Sequence, residues 1–299
     1  RTLLFGGQSG FTVLSDTWSF DEGSGTWTNV STSVHPASLL APVGAYDERA
    51  GRLVVYGVRG VLGEPNPIQG QTWLYDPSAN TWTNATTAAE PPNLLNGGMG
   101  YDALTGRDLL VGGYYVKNAT VYGLVSITWS YDAVAMVWTN VTAAVMPSPR
   151  SSGSLAYDAR TDQFVLFGGD TSLGVTLSRE TWTFDANHDL WTNVTSSPNP
   201  GPRDNAPMAF DSGHGVSLLF GGTVPIPGSR NTQDAADTWE YRAPAVAPSA
   251  PRSLTATRST SSVHLVWQAP FASGGSPVTN YNVYRGTGSG NESFLAAAG

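Results

Sequence analysis

The chain has 299 residues, 40% of them apolar, with 34 glycines and no cysteine, so it can bury a sizeable core and builds no disulfide or thiolate-ligated metal site. Only 13% of residues are charged, the net charge is −8 and Lys117 is the single lysine, which leaves little from which to build a phosphate-binding surface and argues against nucleic acid as a partner. No apolar run approaches the roughly 18 residues of a membrane-spanning helix, and the first residues carry no signal-peptide pattern.

The opening RTLLFGG reads as an apolar strand that closes on a glycine doublet at Gly7. DTWSFD follows around Trp18, and nine residues later Trp27 opens a Trp-Thr-Asn triplet. The first tryptophan recurs at Trp73, Trp129, Trp182 and Trp239, the second at Trp82, Trp138 and Trp191, with a period of 53 to 57 residues. That period is too long for helical solenoids and close to that of four-stranded propeller blades. Each repeat after the first also begins with a strand ending in an aromatic residue and Asp, at Asp47, Asp102, Asp158 and Asp211. We label this strand A, the glycine-closing strand B, and the strands of the first and second tryptophans C and D.

Spacing separates the rigid parts from the free ones. First to second tryptophan is nine residues, second tryptophan to the next strand-A Asp is twenty, and Asp to the closing glycine position is eleven, in all four cases of each. Only the distance from the end of strand B to the first tryptophan varies, as 11, 15, 16, 13 and 17. In an up-and-down antiparallel sheet the B–C and D–A connections share one face. All length variation therefore falls on that face, as on a scaffold with a variable binding surface. The nine-residue spacing predicts a hairpin centred between Glu22 and Gly23, with the two indoles opposite one another. Asp21, Asp76, Asp132 and Asp185 are expected to cap turns through nearby backbone amides.

The pattern of apolar strand, Gly-Gly, Tyr-Asp and a tryptophan six residues on, seen in full as YDPSANTWT from Tyr75 to Thr83, resembles the kelch repeat. The resemblance covers residues 1–242 and implies an all-β kelch-type β-propeller with five recognisable blades, the first lacking strand A and the last lacking strand D. These two deficits do not complete a single blade, so the expectation is upstream blades or an interrupted ring. Residues 243–250, APAVAPSA, form an extended Pro/Ala linker. Residues 251–299, with Trp267, Tyr281 and Val283, read as three strands and resemble the first half of a fibronectin type III domain, an incomplete Ig-like sandwich.

Asn-x-Ser/Thr sequons stand at Asn29, Asn84, Asn118, Asn140, Asn193 and Asn291, four of them at one repeat position. They mark candidate N-glycosylation sites if the protein is exported, and equally one inherited tetrapeptide. Arg150 and Arg203 occupy equivalent places twelve residues after Trp138 and Trp191, where earlier repeats have Leu39 and Leu94. The resemblance implies loop arginines that meet acidic partners; the alternative is an arginine that hydrogen-bonds local carbonyls. Arg59, Tyr114, Tyr115, Arg179 and Arg230 in the B–C loops, together with Phe11 and Glu64, suit a protein or carbohydrate ligand.

Enzyme readings find less support. Copper oxidases of the galactose-oxidase type need a Tyr-Cys crosslink and paired histidines, whereas His35, His188, His214 and His264 occupy unrelated repeat positions. SFDEGSGTW approaches a sialidase Asp-box but carries one extra residue and is not repeated. No cofactor or metal is expected. The sequence thus points to a secreted or cell-surface recognition, adhesion and scaffold protein, similar in architecture to archaeal extracellular proteins, with other copies of itself as a further partner in a filament. The competing reading is a carbohydrate-active enzyme whose site lies in the loops.

Overall fold

A computed structural model of the chain describes residues 1–10, 12–59, 68–117, 121–174, 176–229, 231–288 and 290–298. Phe11, Glu64, Asn118 and Arg230 lie outside the described residues. The described chain is all-β, and every paired strand is antiparallel to its neighbour.

Two compact units are present, the first comprising Arg1–Ala159 and Gln163–Arg242. Its first sheet has β1 (Thr2–Ser9), β2 (Thr12–Asp21) and β3 (Thr26–Asn29). The second has β4 (Leu39–Asp47), β5 (Arg52–Arg59), β6 (Gln69–Asp76) and β7 (Thr81–Asn84). Next come β8 (Leu94–Leu95), β9 (Gly98–Asp102), β10 (Arg107–Val111), β11 (Tyr114–Val116), β12 (Tyr122–Leu124), β13 (Thr128–Asp132) and β14 (Val137–Asn140). Of these, β9, β10, β13 and β14 form the third sheet, while β8, β11 and β12 make a small accessory sheet. The fourth sheet has β15 (Ser154–Asp158), β16 (Gln163–Phe167), β17 (Thr181–Asp185) and β18 (Leu190–Asn193). The fifth has β19 (Met208–Asp211), β20 (Val216–Phe220) and β23 (Thr238–Tyr241), with a hairpin of β21 (Thr223–Pro225) and β22 (Thr232–Asp234) between.

The A strands β4, β9, β15 and β19 lie side by side in succession, so the sheets fan outward in a β-propeller-like arrangement. The variable B–C connections are partly regular structure: β11–β12 and β21–β22 are short hairpins raised on the B–C face.

Registers correct the expected indole pairing. Each hairpin is centred one residue later than the spacing predicts, for instance between Gly23 and Ser24, so that Phe20, Tyr75, Tyr131 and Phe184 face Trp27, Trp82, Trp138 and Trp191. Ring centroids in these pairs are 4.7–5.1 Å apart. The cause is a four-residue turn, capped as expected by the aspartate carboxylate: Asp132 Oδ1 accepts the amides of Val134 and Ala135, both at 2.9 Å. Its last residue is left-handed in every copy, at Gly25, Asn80, Met136 and Asp189.

What the second tryptophan does is seen only between sheets. Trp82, Trp138 and Trp191 are buried, and each Nε1 donates to the hydroxyl of a threonine one sheet back: Thr17 at 3.1 Å, Thr72 at 2.8 Å and Thr128 at 3.0 Å. Those threonines are the first members of the Thr-Trp pairs. The second, third and fourth repeats are thus each pinned to the repeat before by an indole seated in an apolar cluster on a buried hydroxyl acceptor.

The second unit comprises Arg160–Asp162 and Ala243–Gly299. It contains two hairpins, β24 (Arg252–Arg258) with β25 (Val263–Gln268), and β26 (Tyr281–Arg285) with β27 (Ser293–Ala298). Trp267 packs edge-on against Tyr281 at 5.4 Å. There are four strands where three are expected, because β27 runs through the alanine-rich SFLAAA, whose composition carries little strand signal.

Candidate functional site

Six residues before each strand-A Asp, the chain turns into the innermost strand or, in β4, bulges within it. The residues there are Ala41, Asn96, Ser152 and Asn205, and all four are left-handed, with φ of 41°, 53°, 56° and 52°. Non-glycine residues adopt this conformation uncommonly, and Asn is among the few enriched in it. Backbone bonds link the ring from sheet to sheet: the Ser152 amide donates to Asn96 O at 2.8 Å, and the Asn205 amide donates to Ser152 O at 3.0 Å. Together with Pro42, Val43, Gly97, Gly153 and Ala206 these residues surround an open depression of about 210 Å³. Asn96 and Asn205 are exposed there, with Ser152 half-buried between them in the ring. Four successive repeats thus present main chain and small polar side chains to one central hollow, on the face that bears the variable hairpins.

Two carboxylates lie on the same face. Asp170, which follows the glycine doublet of β16, is buried and accepts the amides of Ser172 and Gly174. Asp204 precedes Asn205, and one of its carboxylate oxygens is buried without a hydrogen-bond partner. Burial, and then the nearby charge of Asp170, raise the Asp204 pKa above the usual carboxylate range.

Arg150 and Arg203 do not line the hollow. Each is only 3% exposed. Arg150 donates from Nη1 to Gly168 O at 2.9 Å and from Nε to Ser148 O at 3.0 Å, and its Nη2 meets Glu180 at 2.5 Å. Arg203 repeats the arrangement with Gly221 O at 2.8 Å and both oxygens of Asp237, at 2.7 and 3.1 Å. The Arg150 carbonyl accepts the Gly113 amide of the preceding sheet at 2.8 Å. A Cβ on Gly112 would come within 2.9 Å of that carbonyl, so the glycine doublet lets the two backbones approach. Each guanidinium thus bonds within its own repeat, while the arginine's main-chain carbonyl accepts a glycine amide from the preceding sheet.

The other expected ligand residues are dispersed. Arg59 ends β5 and is exposed, as is Arg179 before β17. Tyr114 and Tyr115 lie on β11, the former packed on Tyr122 at 5.8 Å and the latter against the cluster around Tyr56 and Leu94. The axial residues Asn96, Ser152 and Asn205 escape a reading based on charged and aromatic side chains. Their constant six-residue offset from the strand-A Asp is the signal that finds them.

The sequon asparagines Asn29, Asn84, Asn140 and Asn193 end the D strands and are exposed, as is Asn291 in the second unit. The first four each accept, through Oδ1, the amide two residues on, at 2.9–3.0 Å. The hydroxyl of that residue, whether Ser31, Thr86, Thr142 or Thr195, accepts the amide of the Thr-Trp threonine at 2.9–3.1 Å. The tripeptide therefore has a structural task at every copy. Thr195→Val, which removes only the hydroxyl, is expected to cost ~1 kcal/mol, read as a lowered Tm in protein made without glycosylation. An unchanged Tm would assign the hydroxyl to the sequon alone.

The sheets and the hollow define the class: an all-β, β-propeller-like protein with a polar axial depression on its variable face. No protein-family model matches the chain. Among solved structures, that of YjhT is similar, with a TM-score of 0.54 and 13% identity over 72% of this chain and 67% of that chain. At this identity the likeness shows the fold alone. Among the described residues, no helix is long and apolar enough to cross a membrane.

Proposed function

We propose that this is a recognition and scaffold protein of the cell exterior, a kelch-type propeller followed by a partial fibronectin III-like module and N-glycosylated at exposed D-strand ends. It holds a protein or carbohydrate ligand over the axial hollow, as a subunit of an adhesive or filamentous surface assembly of the archaeal kind. The observation that carries this reading is the ring of Asn96, Ser152 and Asn205 at the centre of the face that collects every connection of unequal length. Small amides and hydroxyls around a shallow polar hollow suit the hydrogen-bonding pattern of sugars and peptide backbones. The test is a glycan and protein-ligand array on the wild type and on a triple variant, Asn96→Gly, Ser152→Gly and Asn205→Gly. Glycine accepts the left-handed backbone without strain, so the variant is expected to fold normally and to lose at least tenfold in affinity. Undiminished binding would remove the hollow from the reading.

One observation favours a second reading. Asp204, with its raised pKa, and Asp170 place a protonatable acid near a second carboxylate, as hydrolysis of a glycosidic bond requires. Turnover of any glycoside, abolished by Asp204→Asn, would establish the enzyme reading in place of the first.

A further inference from the structure

Asp108 lies in the middle of the third sheet, opposite Tyr101 of β9 on one side and Tyr131 of β13 on the other. The same register holds Leu53 in the second sheet, between Tyr46 and Tyr75, and Phe164 in the fourth, between Tyr157 and Phe184. Where the sheets on either side place an apolar side chain, the third therefore places a carboxyl. Asp108 is 0% exposed, and both of its carboxylate oxygens are buried without a hydrogen-bond partner. An ionised carboxylate so placed gives up its hydration with no compensating bond, whereas a neutral carboxyl gives up far less.

The surroundings oppose ionisation further. Asp108 stands at the joint where the third sheet packs on the second: Tyr131 stacks on Trp138 at 4.7 Å, and both share a buried cluster with Val54, Tyr56 and Leu74 of the second sheet. From the second sheet comes Asp47, also 0% exposed, whose Oδ1 accepts the Ala50 amide at 2.7 Å and whose Oδ2 is buried without a partner. From β13 comes Asp132. The cations nearby are engaged elsewhere. Arg49, half-exposed on the turn after β4, pairs with Asp132 at 3.6 Å, and Arg52 of β5 acts on Asp76 and Tyr131. Arg107 lies on the other side of the third sheet, with Asp102, in the lining it shares with Phe164. Glu90, which accepts the Thr72 hydroxyl at 2.6 Å, and the exposed Glu48 add negative charge. The Tyr101 hydroxyl accepts the Arg49 amide at 3.1 Å, that of Tyr131 is buried without a partner, and burial pushes both phenols up. Burial, and then the charges of Asp47 and Asp132, push the Asp108 carboxyl well above the usual range.

We propose that Asp108 is held as the neutral acid in the folded protein and serves as a pH-sensitive latch between the second and third sheets, which loosens when rising pH ionises it. The charge then created stands in an apolar joint among other carboxylates, and the joint relieves it by admitting water. The strands that meet there are β4, which contains Ala41, and β9, which follows Asn96. Both residues border the axial hollow, so loosening reaches the ligand face through continuous chain. An unfolded chain releases the Asp108 proton near pH ~4, while the folded chain keeps it. Above that pH the folding constant falls by up to about tenfold per unit, until the folded-state carboxyl ionises as well.

Carbon-13 NMR of the whole chain, labelled at the aspartate carboxyl carbons, follows the proton directly. One resonance, missing from Asp108→Asn, is expected to titrate above pH ~6. Protection of the β4, β9 and β10 amides against hydrogen exchange should fall with the same midpoint. In thermal melts from about pH 5 to pH 9 the wild type should lose Tm that Asp108→Asn retains. Should Asp108→Asn not fold, Asp108→Leu, which carries the second sheet's own side chain at this register, takes its place. An Asp108 resonance that titrates near pH ~4, parallel Tm curves for wild type and variant, or protection that does not follow the midpoint would each overturn the proposal. A resonance that stays neutral until the whole chain unfolds would equally remove the latch.

Discussion

Replacing Trp191 with alanine is expected to destabilise the first unit by ~3–5 kcal/mol, the range for truncating a fully buried large aromatic side chain. Trp138→Ala should cost about the same. Both indoles are at least 96% buried by neighbours from two sheets, and both lose a hydrogen bond along with their packing. Trp27 is the internal control. It has the same repeat position and the same aromatic partner at 5.1 Å, but it is 48% exposed, so Trp27→Ala should cost less than ~1 kcal/mol. The hydrogen bond can be isolated with Thr128→Val and Trp191→Phe singly and together, where a coupling of ~1 kcal/mol is expected. Guanidinium unfolding curves measure all of these. Equal losses for Trp27 and Trp191 would show that the indoles stabilise their own hairpins and do not join sheets.

The repeat, its strand boundaries and the sharing of one face by B–C and D–A connections are legible in the sequence because they rest on spacing, which an up-and-down sheet converts directly into position. The pairing of the two tryptophans is not. A nine-residue separation fits a symmetric two-residue turn as well as a four-residue turn with the partners offset, and only the geometry around Asp21 and its equivalents decides between them. Nor does one repeat reveal why threonine precedes the first tryptophan, since the group that needs its hydroxyl belongs to the next repeat. The axial ring was legible in principle: two of its four members are Asn, the residue that tolerates φ > 0, at a fixed offset from an Asp.

The arginines show how an internal comparison of repeats could have resolved their role. Where the loop position is Arg150 or Arg203, the residue two before the first tryptophan is Glu180 or Asp237; where it is Leu39 or Leu94, that residue is Gln71 or Ile127. Acid and arginine occur together because they are bonded, and the acid also accepts the neighbouring indole, as from Trp182 at 3.1 Å and Trp239 at 2.6 Å. In the third repeat, Ile127 offers no acceptor and Trp129 Nε1 is buried without a partner. The D–A face therefore carries two buried, structural arginines apart from the left-handed residues that line the hollow. Ligand effects of arginine variants should follow their effects on stability.

Arg203→Ala is accordingly expected to cost ~2–4 kcal/mol, since it strips the Gly221 carbonyl of its donor and leaves a hole where a buried guanidinium stood. Arg203→Lys should recover only part of this, because an ammonium cannot bond both oxygens of Asp237 and the carbonyls on either side. Acid titration supplies a readout that lost packing alone would not move. The guanidinium of Arg203, followed by the Trp239 indole, holds the Asp237 pKa down to about 2 from its ordinary 3.8. A carboxylate with a depressed folded-state pKa contributes stability that is fully present above pH ~4 and is lost as the pH falls towards 2. Wild-type Tm should therefore fall across that window more steeply than Tm of Arg203→Leu, in which Asp237 titrates nearer its ordinary value. Parallel Tm curves for the two proteins between pH 5 and pH 2 would show that the pair contributes nothing, and that Arg203 acts through its neutral carbonyl partners alone.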